Sequence, residues 1–308
     1  MGVNLAISLN KVKILAPLSG LAAYMVWIAA FKMLFLTLAV YLFVSAHPGA
    51  SGFDEIHDWV SSNELTLMAV SSLLFVLVLR SSSPSRTATW EEFVHSERWI
   101  KRFLPGFVNG SLIAGVLILA FIAAGLYRFL GLLLQPEEAS LTLVQFFAKT
   151  LSCIALAYCE AYLFNQRWLS RFRGFAQHDW IVVGIIGVAY CLVKMIQFEL
   201  SWTQVFTLLL IQILISSRKI IDGDFGFGAG FLSGLWFIFH PVFSLSILGN
   251  SVSGLWMIRP VALAGFPEEW SRWASGGIGG PLSSLVLQLI LVSLILKTVI
   301  KNKKKGHS

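Results

Sequence analysis

Charged residues are scarce in this sequence, and their scarcity excludes a soluble protein. Only 13% of the 308 residues are Asp, Glu, Lys or Arg, whereas 56% are hydrophobic and the mean hydropathy is +0.76. Soluble domains carry about 25% charged residues. The composition therefore predicts an integral membrane protein whose first partner is the lipid bilayer, and no nucleic-acid partner is expected.

Cysteine is also rare, and its placement excludes two kinds of site. The three cysteines, Cys153, Cys159 and Cys191, all lie within apolar stretches. This pattern fits neither a disulfide framework nor a Cys-x-x-Cys metal site. We therefore expect no metal or other cofactor, and we interpret the cysteines as small apolar packing residues.

Long apolar runs, by contrast, recur along the chain. About 20 apolar residues cross a bilayer, which predicts eight spans, at residues 22–46, 64–80, 107–130, 142–165, 179–198, 202–217, 227–249 and 281–300. The predicted fold class is an all-α polytopic membrane protein, with residues 1–308 forming one domain. Residues 1–106 would hold two spans and an interfacial helix, residues 107–300 the main bundle, and residues 301–308 a basic cytoplasmic tail.

Basic residues are unevenly distributed between the predicted loops. Alternate loops hold 17 of the 23 lysines and arginines, while acidic residues gather in the others, among them Glu64 at the boundary of the second span. The positive-inside rule assigns the basic loops to the cytoplasm. With eight spans both termini are then cytoplasmic, and a bacterial cytoplasmic (inner) membrane is the expected location.

Two loop segments are predicted to lie along the membrane surface. The stretch TATWEEFVHSERWIKRFL contains a capping-box pattern, Thr89 with Glu92, and mixes apolar residues with charges, as an interfacial helix does. The outer stretch LWMIRPVALAGFPEEWSRW is rich in tryptophan, which favours the level of the lipid headgroups.

Five ionisable side chains remain inside the predicted spans. They are Lys32, Lys149, Glu160, Lys194 and His240. A charge at the bilayer centre costs about 2.5–3.5 kcal/mol on insertion scales. We therefore expect each of these groups to have a partner or a function.

Glu160 and Lys194 are predicted to pair with each other. Glu160 lies 17 residues before Gln177, in the turn between the fourth and fifth spans, and Lys194 lies 17 residues after it. At 1.5 Å per residue, both groups reach the same depth on neighbouring antiparallel helices. The simplest hypothesis is an ion pair that holds the two helices in register.

The other three ionisable groups are assigned structural roles. Lys149 lies three helical turns from Glu160 on the same face, and it either snorkels or faces the same polar interior. Lys32 is interpreted as a snorkelling residue or as the partner of another polar group. His240 precedes Pro241 and is expected to bond a carbonyl that the proline frees. It is not a predicted metal ligand, because no second histidine or cysteine lies at ligand spacing.

The seventh predicted span begins with the glycine-rich stretch GFGAGFLSG. In it Gly226, Gly230 and Gly234 recur every four residues. This spacing predicts a ridge of small residues on which another helix packs closely. A phosphate-binding loop is not indicated, because no lysine or threonine completes such a motif.

The order of these segments resembles the CPBP intramembrane proteases, relatives of the CAAX-prenyl endopeptidases that are often labelled Abi in bacteria. The resemblance begins at Leu104, in LPGFVNGSLIAGVLILAFIAAGLYRFLG, and continues to SGGIGGPLSS, which is similar to a Gly-Gly…Gly-Pro turn before the last span. It covers about two thirds of the chain and implies a CPBP-like bundle. Members carry Glu-Glu-x-x-x-Arg, then Phe-x-x-x-His in the next span, and a further histidine in a later glycine-rich span.

The family motifs match this sequence only in part. EAYLFN keeps the leading glutamate as Glu160, but Ala161 replaces the second glutamate and Asn165 replaces the arginine. YCLVK supplies Tyr190 as the aromatic residue and places Lys194 at the first histidine position. Most of the residues that the family uses for catalysis are therefore replaced.

The replacements imply a loss of proteolysis. Leu232, in FLSGLWF, stands at the second histidine position. The resemblance implies that the glutamate activates a water molecule which the histidines help to hold. A lysine paired with Glu160 would instead stabilise the carboxylate and quench its basicity. We therefore predict a degenerate, non-proteolytic member.

Three functions remain open at this point. The first is a pseudoenzyme that acts as a scaffold or partner-binding subunit, with a membrane protein or a lipidated or helical peptide in the groove of spans four to seven. The second is an active CAAX-type endopeptidase in which Glu160 is the base and Lys194 replaces a histidine. The third is a small ion-coupled permease in which Glu160, Lys194 and Lys149 form a path.

Overall fold

Helices dominate the computed structural model, which describes residues 2–46, 53–81, 97–132, 139–173, 178–245, 255–261 and 267–305. The α-helices in these ranges are α1 (Gly2–Ala46), α2 (Phe53–Ser81), α3 (Glu97–Ala123), α4 (Ala139–Glu160), α5 (Leu169–Arg173), α6 (Asp179–Gln197), α7 (Trp202–Asp222), α8 (Gly226–Phe237), α9 (Glu268–Ser275) and α10 (Leu285–Lys305). Two π-helical segments continue helices without a break: πA (Ala161–Trp168) joins α4 to α5, and πB (Ile238–Val242) continues α8.

Six helical stretches of the described residues are long and apolar enough to cross a membrane. They are Leu18–Leu38, Asn63–Ser81, Lys101–Ala123, Leu143–Arg173, Asp179–Gln197 and Trp202–Asp222. A shorter apolar helix covers Gly226–Val242. The chain is therefore an integral membrane protein with a mainly helical fold, as the sequence predicts.

The predicted third span ends earlier than its hydropathy indicates. Helix α3 stops at Ala123 because Gly125 adopts a left-handed conformation, with φ of 74°. The Gly125 N–H donates to the Ile122 carbonyl at 3.0 Å, and the Leu126 N–H donates to the Phe121 carbonyl at 2.8 Å. These two bonds form a Schellman motif, which ends a helix. An apolar run does not reveal such an ending.

A short antiparallel sheet adds to the predicted helical fold. Strands β1 (Tyr127–Leu132) and β2 (Trp256–Pro260) pair so that Tyr127 lies opposite Pro260 and Arg128 lies opposite Arg259. The buried Tyr127 hydroxyl donates to the Ser275 carbonyl of α9 at 3.0 Å. Burial raises the pKa of Tyr127, so the hydroxyl keeps its proton at neutral pH and ties the sheet to α9.

Two further predicted segments differ from the structure. The seventh span was predicted over 227–249, but its helix ends at Val242. It ends there because Pro241 lacks an N–H and Ser244 has a φ of 50°. Residues 246–249 lie outside the described ranges. Residues 82–96 of the predicted interfacial helix also lie outside them. Residues 97–104 belong to the continuous helix α3 rather than to a separate surface helix.

Glycines allow α3 and α8 to pack backbone against backbone. A methyl group on Gly230 or Gly234 would overlap the carbonyl of Phe103 or Phe107 respectively, and α3 contributes Gly110 to the same contact. The predicted glycine ridge therefore packs within the chain. Gly226 lies outside this contact in a different role, since its N–H donates to Asp224 Oδ1 at 2.5 Å where α8 begins.

The glycine-rich turn before α10 is held by the first turns of α7. Helix α7 begins with a capping box formed by Ser201 and Gln204. The Gln204 side chain donates to the Gly279 carbonyl at 2.8 Å, and the Thr207 hydroxyl donates to the Leu282 carbonyl at 2.5 Å. This end of the bundle is thus fixed by side-chain bonds to the loop backbone.

Candidate functional site

Glu160 and Lys194 form an ion pair in the interior of the bundle. Lys194 Nζ lies 2.5 Å from Glu160 Oε1, and both side chains are 0% exposed. Glu160 is the last residue of α4, and Lys194 lies near the end of α6. The contact that the symmetric spacing about Gln177 predicted is therefore present.

Aromatic rings enclose this pair. The Tyr190 hydroxyl donates to Glu160 Oε2 at 3.1 Å, so each carboxylate oxygen faces a cation or a hydroxyl donor. Lys194 Nζ lies 5.1 Å from the centre of the Phe198 ring and 5.5 Å from that of Tyr190. An ammonium gains electrostatic energy over such rings. Phe164 packs edge-on against Tyr190 with ring centroids 5.1 Å apart.

The π-helical segment πA begins directly after Glu160. Its widened turn is visible where the Leu169 N–H bonds the Phe164 carbonyl, five residues earlier. Short π segments within helices often occur at functional sites. Here the segment turns polar residues inward, since Asn165 is 1% exposed.

Asn165 belongs to a second polar cluster, shared with α7. Its Oδ1 accepts hydrogen bonds from Gln212 Nε2 at 3.0 Å and from the Ser216 hydroxyl at 2.8 Å. Gln212 and Ser216 are fully buried and bond each other at 3.0 Å. Asn165, which the predicted resemblance aligns with an arginine, is therefore a neutral amide that joins two helices.

A second ion pair lies between α1 and α2. Lys32 Nζ is 2.6 Å from Glu64 Oε1, with side chains 36% and 9% exposed respectively. The same ammonium donates to the Gln197 carbonyl at 2.8 Å. Gln197 is one helical turn beyond Lys194, so both ion pairs contact α6, one turn apart. Lys32 is thus the partner of an acid, one of the two roles predicted for it.

Tyr24 connects α1 and α2 beside the first pair. Its hydroxyl lies 2.8 Å from the Ser72 hydroxyl, and Tyr24 and Ser72 are both fully buried. The Tyr24 ring packs 5.7 Å from that of Trp168 and 6.4 Å from that of Phe164. The helices that carry the ion pairs are therefore also joined by aromatic packing.

The remaining predicted residues lie apart from the Glu160–Lys194 pair. Lys149 is 8% exposed, and His240 in πB is 5% exposed. Leu232 is fully buried in α8, and its side chain has no group that could hold a water molecule. No group of three or more potential metal ligands occurs among the described residues.

Several buried polar residues were not predicted as site residues. Gln197 follows Lys194 by three positions, and Ser216 follows Gln212 by four, so each pair shares a helix face. Polar residues at helical spacing within an apolar span are the signal that could have found them. Glu64 was assigned to the outer loop because it lies at the start of its apolar run.

No protein-family model, curated protein or solved structure matches this chain. The resemblance to the CPBP family therefore stays a prediction from the motif residues.

Proposed function

We propose that this chain is a non-proteolytic membrane scaffold of CPBP-like type, a partner-binding subunit whose former catalytic glutamate has become structural. The observation that carries the proposal is the closed ion pair of Glu160 and Lys194, 2.5 Å apart and completely excluded from solvent. Such a pair neutralises both groups within the membrane.

The surroundings of Glu160 argue against hydrolysis. A general base must reach a water molecule or a substrate within hydrogen-bond distance and must exchange its proton. One Glu160 oxygen faces the Lys194 ammonium and the other accepts from Tyr190. The residues at the family histidine and arginine positions supply an ammonium, an aliphatic chain and an amide already bonded to α7.

The partner would lie in the membrane against spans four to seven. Helix α6 exposes an apolar face there, with Ile181 and Val188 each 54% exposed. We propose that a transmembrane helix or a lipidated tail of another membrane protein binds this side. Both termini would be cytoplasmic, in a bacterial inner membrane.

A charge-free variant tests the scaffold function. The full chain and Glu160→Gln/Lys194→Met would be purified in mild detergent, and their bound proteins compared by quantitative mass spectrometry. We expect one partner at a fixed ratio to both, because the pair positions helices without contacting the partner. Loss of that partner from a folded double variant, or no stoichiometric partner of the wild type, would contradict the proposal.

A peptidase assay tests the opposing function. Prenylated and unmodified membrane peptides would be incubated with the wild type and with Glu160→Gln in lipid nanodiscs. We expect no cleavage by either protein. Cleavage by the wild type that Glu160→Gln abolishes would show that Glu160 is a working base and that the scaffold proposal is wrong.

An ion-coupled permease is the second candidate, and the two ion pairs that contact successive turns of α6 favour it. Lys32 bonds both Glu64 and the Gln197 backbone, one helical turn from Lys194. Ionisable groups in series can relay protons across a membrane. Proton uptake into liposomes, followed with an internal pH dye, would detect such a path. We expect a permease to lose this flux in both Glu160→Gln and Lys32→Met, and a scaffold to show none.

A further inference from the structure

Two arginines face each other across the short sheet. Arg128 of β1 and Arg259 of β2 are directly opposite in the strand register. Opposite residues of antiparallel strands project on the same face, with Cβ atoms about 5 Å apart. Both arginines are exposed, and like charges at this distance repel and weaken a sheet.

Neither arginine is neutralised within the part of the chain that the structure describes. No ion pair or hydrogen bond joins either guanidinium to a described residue. Arg272 of the adjacent helix α9 differs, because its Nη2 lies 2.5 Å from Glu268 Oε1. An anion between Arg128 and Arg259 would relieve their mutual repulsion.

The two arginines also line a cavity of about 310 Å³, together with Leu130, Pro260 and Val261. Liquid water occupies about 30 Å³ per molecule, so the space equals roughly ten waters. It accommodates a group larger than a single inorganic ion. Its lining combines two cations with apolar side chains, as an amphiphilic ligand requires.

The neighbourhood of the sheet has the character of a membrane surface. Helix α9 exposes Trp270 and Trp273 by 66% and 64%, and β2 exposes Trp256 by 40%. Tryptophan is enriched at the level of lipid headgroups. Only three residues separate the end of α3, a candidate membrane span, from the start of β1. The sheet is therefore placed where headgroup phosphates are found.

We propose that Arg128 and Arg259 together bind the phosphate of an anionic phospholipid headgroup. Each guanidinium offers a planar fork of donors that matches phosphate oxygens. The phosphate removes the repulsion between the two strands, and Leu130 and Val261 pack against the glycerol and the first acyl methylenes. This lipid site is separate from the buried ion pairs and independent of the scaffold function.

Lipid titration of the full chain tests this site. Phosphatidylglycerol, phosphatidylcholine and inorganic phosphate would each be added to the protein in neutral detergent, with bound lipid measured by native mass spectrometry. A basic residue near an anionic lipid contributes about 1 kcal/mol, so Arg128→Gln and Arg259→Gln should each weaken phosphatidylglycerol binding about fivefold. Arg272→Gln, the matched control on α9, should bind as the wild type does.

Thermal unfolding supplies the second measurement. In lipid-free neutral detergent, either single glutamine variant should melt about 2–4 °C above the wild type, because the repulsion is gone. If the glutamine variants misfold, Arg128→Lys with Arg259→Lys keeps both charges but cannot form the bidentate contacts, and it should bind phosphatidylglycerol more weakly.

Three results would overturn the lipid site. The first is unchanged phosphatidylglycerol affinity in Arg128→Gln/Arg259→Gln, or in the lysine pair if only that variant folds. The second is equal binding of phosphatidylcholine. The third is a melting shift from inorganic phosphate as large as that from phosphatidylglycerol, which would identify a site for free anions instead.

Discussion

Breaking the buried ion pair on one side should destabilise the protein strongly. Glu160→Gln leaves the Lys194 ammonium without its counter-charge in a position with no exposed surface. Removal of one partner from a buried pair typically costs about 3–5 kcal/mol. Glutamine keeps a carbonyl oxygen that can accept from Tyr190, so the loss comes from the unpaired charge and not from a second broken bond.

The double variant shows what removal of the whole ion pair costs, as opposed to removal of one charge. Glu160→Gln/Lys194→Met leaves no charge behind, and replacing a whole buried pair is often neutral or stabilising. We expect its free energy of unfolding to lie within about 2 kcal/mol of the wild type. The assay is equilibrium unfolding in mixed micelles, followed by tryptophan fluorescence. A loss in the double variant equal to the sum of the two single losses would refute the reasoning.

Three further stability predictions use the same unfolding assay. Gly230→Ala should lower the free energy of unfolding by about 1–3 kcal/mol, because the added methyl group overpacks against α3. Gly115 has open space beside it, so Gly115→Ala should leave the free energy of unfolding unchanged or raise it by up to about 1 kcal/mol. Equal effects of the two substitutions would contradict the close helix contact. Lys32→Met should lower the free energy of unfolding by less than Glu160→Gln does, because the Lys32 side chain is 36% exposed and water weakens its attraction to Glu64. An equal loss in the two variants would contradict this expectation. Asn165→Leu should lower the free energy of unfolding by about 1–3 kcal/mol, because the buried donors Gln212 and Ser216 lose their acceptor. An unchanged stability would contradict these hydrogen bonds.

The sequence predicted the Glu160–Lys194 contact because one turn fixes the relative depth of the two helices that carry it. Depth along a helix follows from the rise per residue, so equal spacing from Gln177 places Glu160 and Lys194 at the same level. The Lys32–Glu64 pair lacks such a reference. Residues 47–52 separate α1 from α2, and Glu64 lies at the edge of its apolar run, so hydropathy assigned it to the outer loop.

Hydropathy also missed the features that depend on local backbone geometry. The left-handed Gly125 ends α3 inside an apolar run, and the strand that follows is recognisable only through its pairing with β2. Asn165 was identified as a motif position, but its partners on α7 depend on how two helices pack. Six of the eight predicted spans overlap the long apolar helices, because apolar runs alone reveal such helices, whereas the polar clusters required the packed structure.

Paired charges in the membrane need a reason beyond stability. Well-packed apolar residues of similar volume would hold α4 and α6 together at least as firmly as Glu160 and Lys194 do, and polar bonds between membrane helices contribute only about 0.6 kcal/mol on average. A buried acid and base differ from apolar residues in specificity, because any sliding of one helix past the other separates the charges in hydrocarbon. The Lys32–Glu64 pair adds a second, more exposed link between α1 and α2, so the two pairs together favour one relative depth of four helices over others.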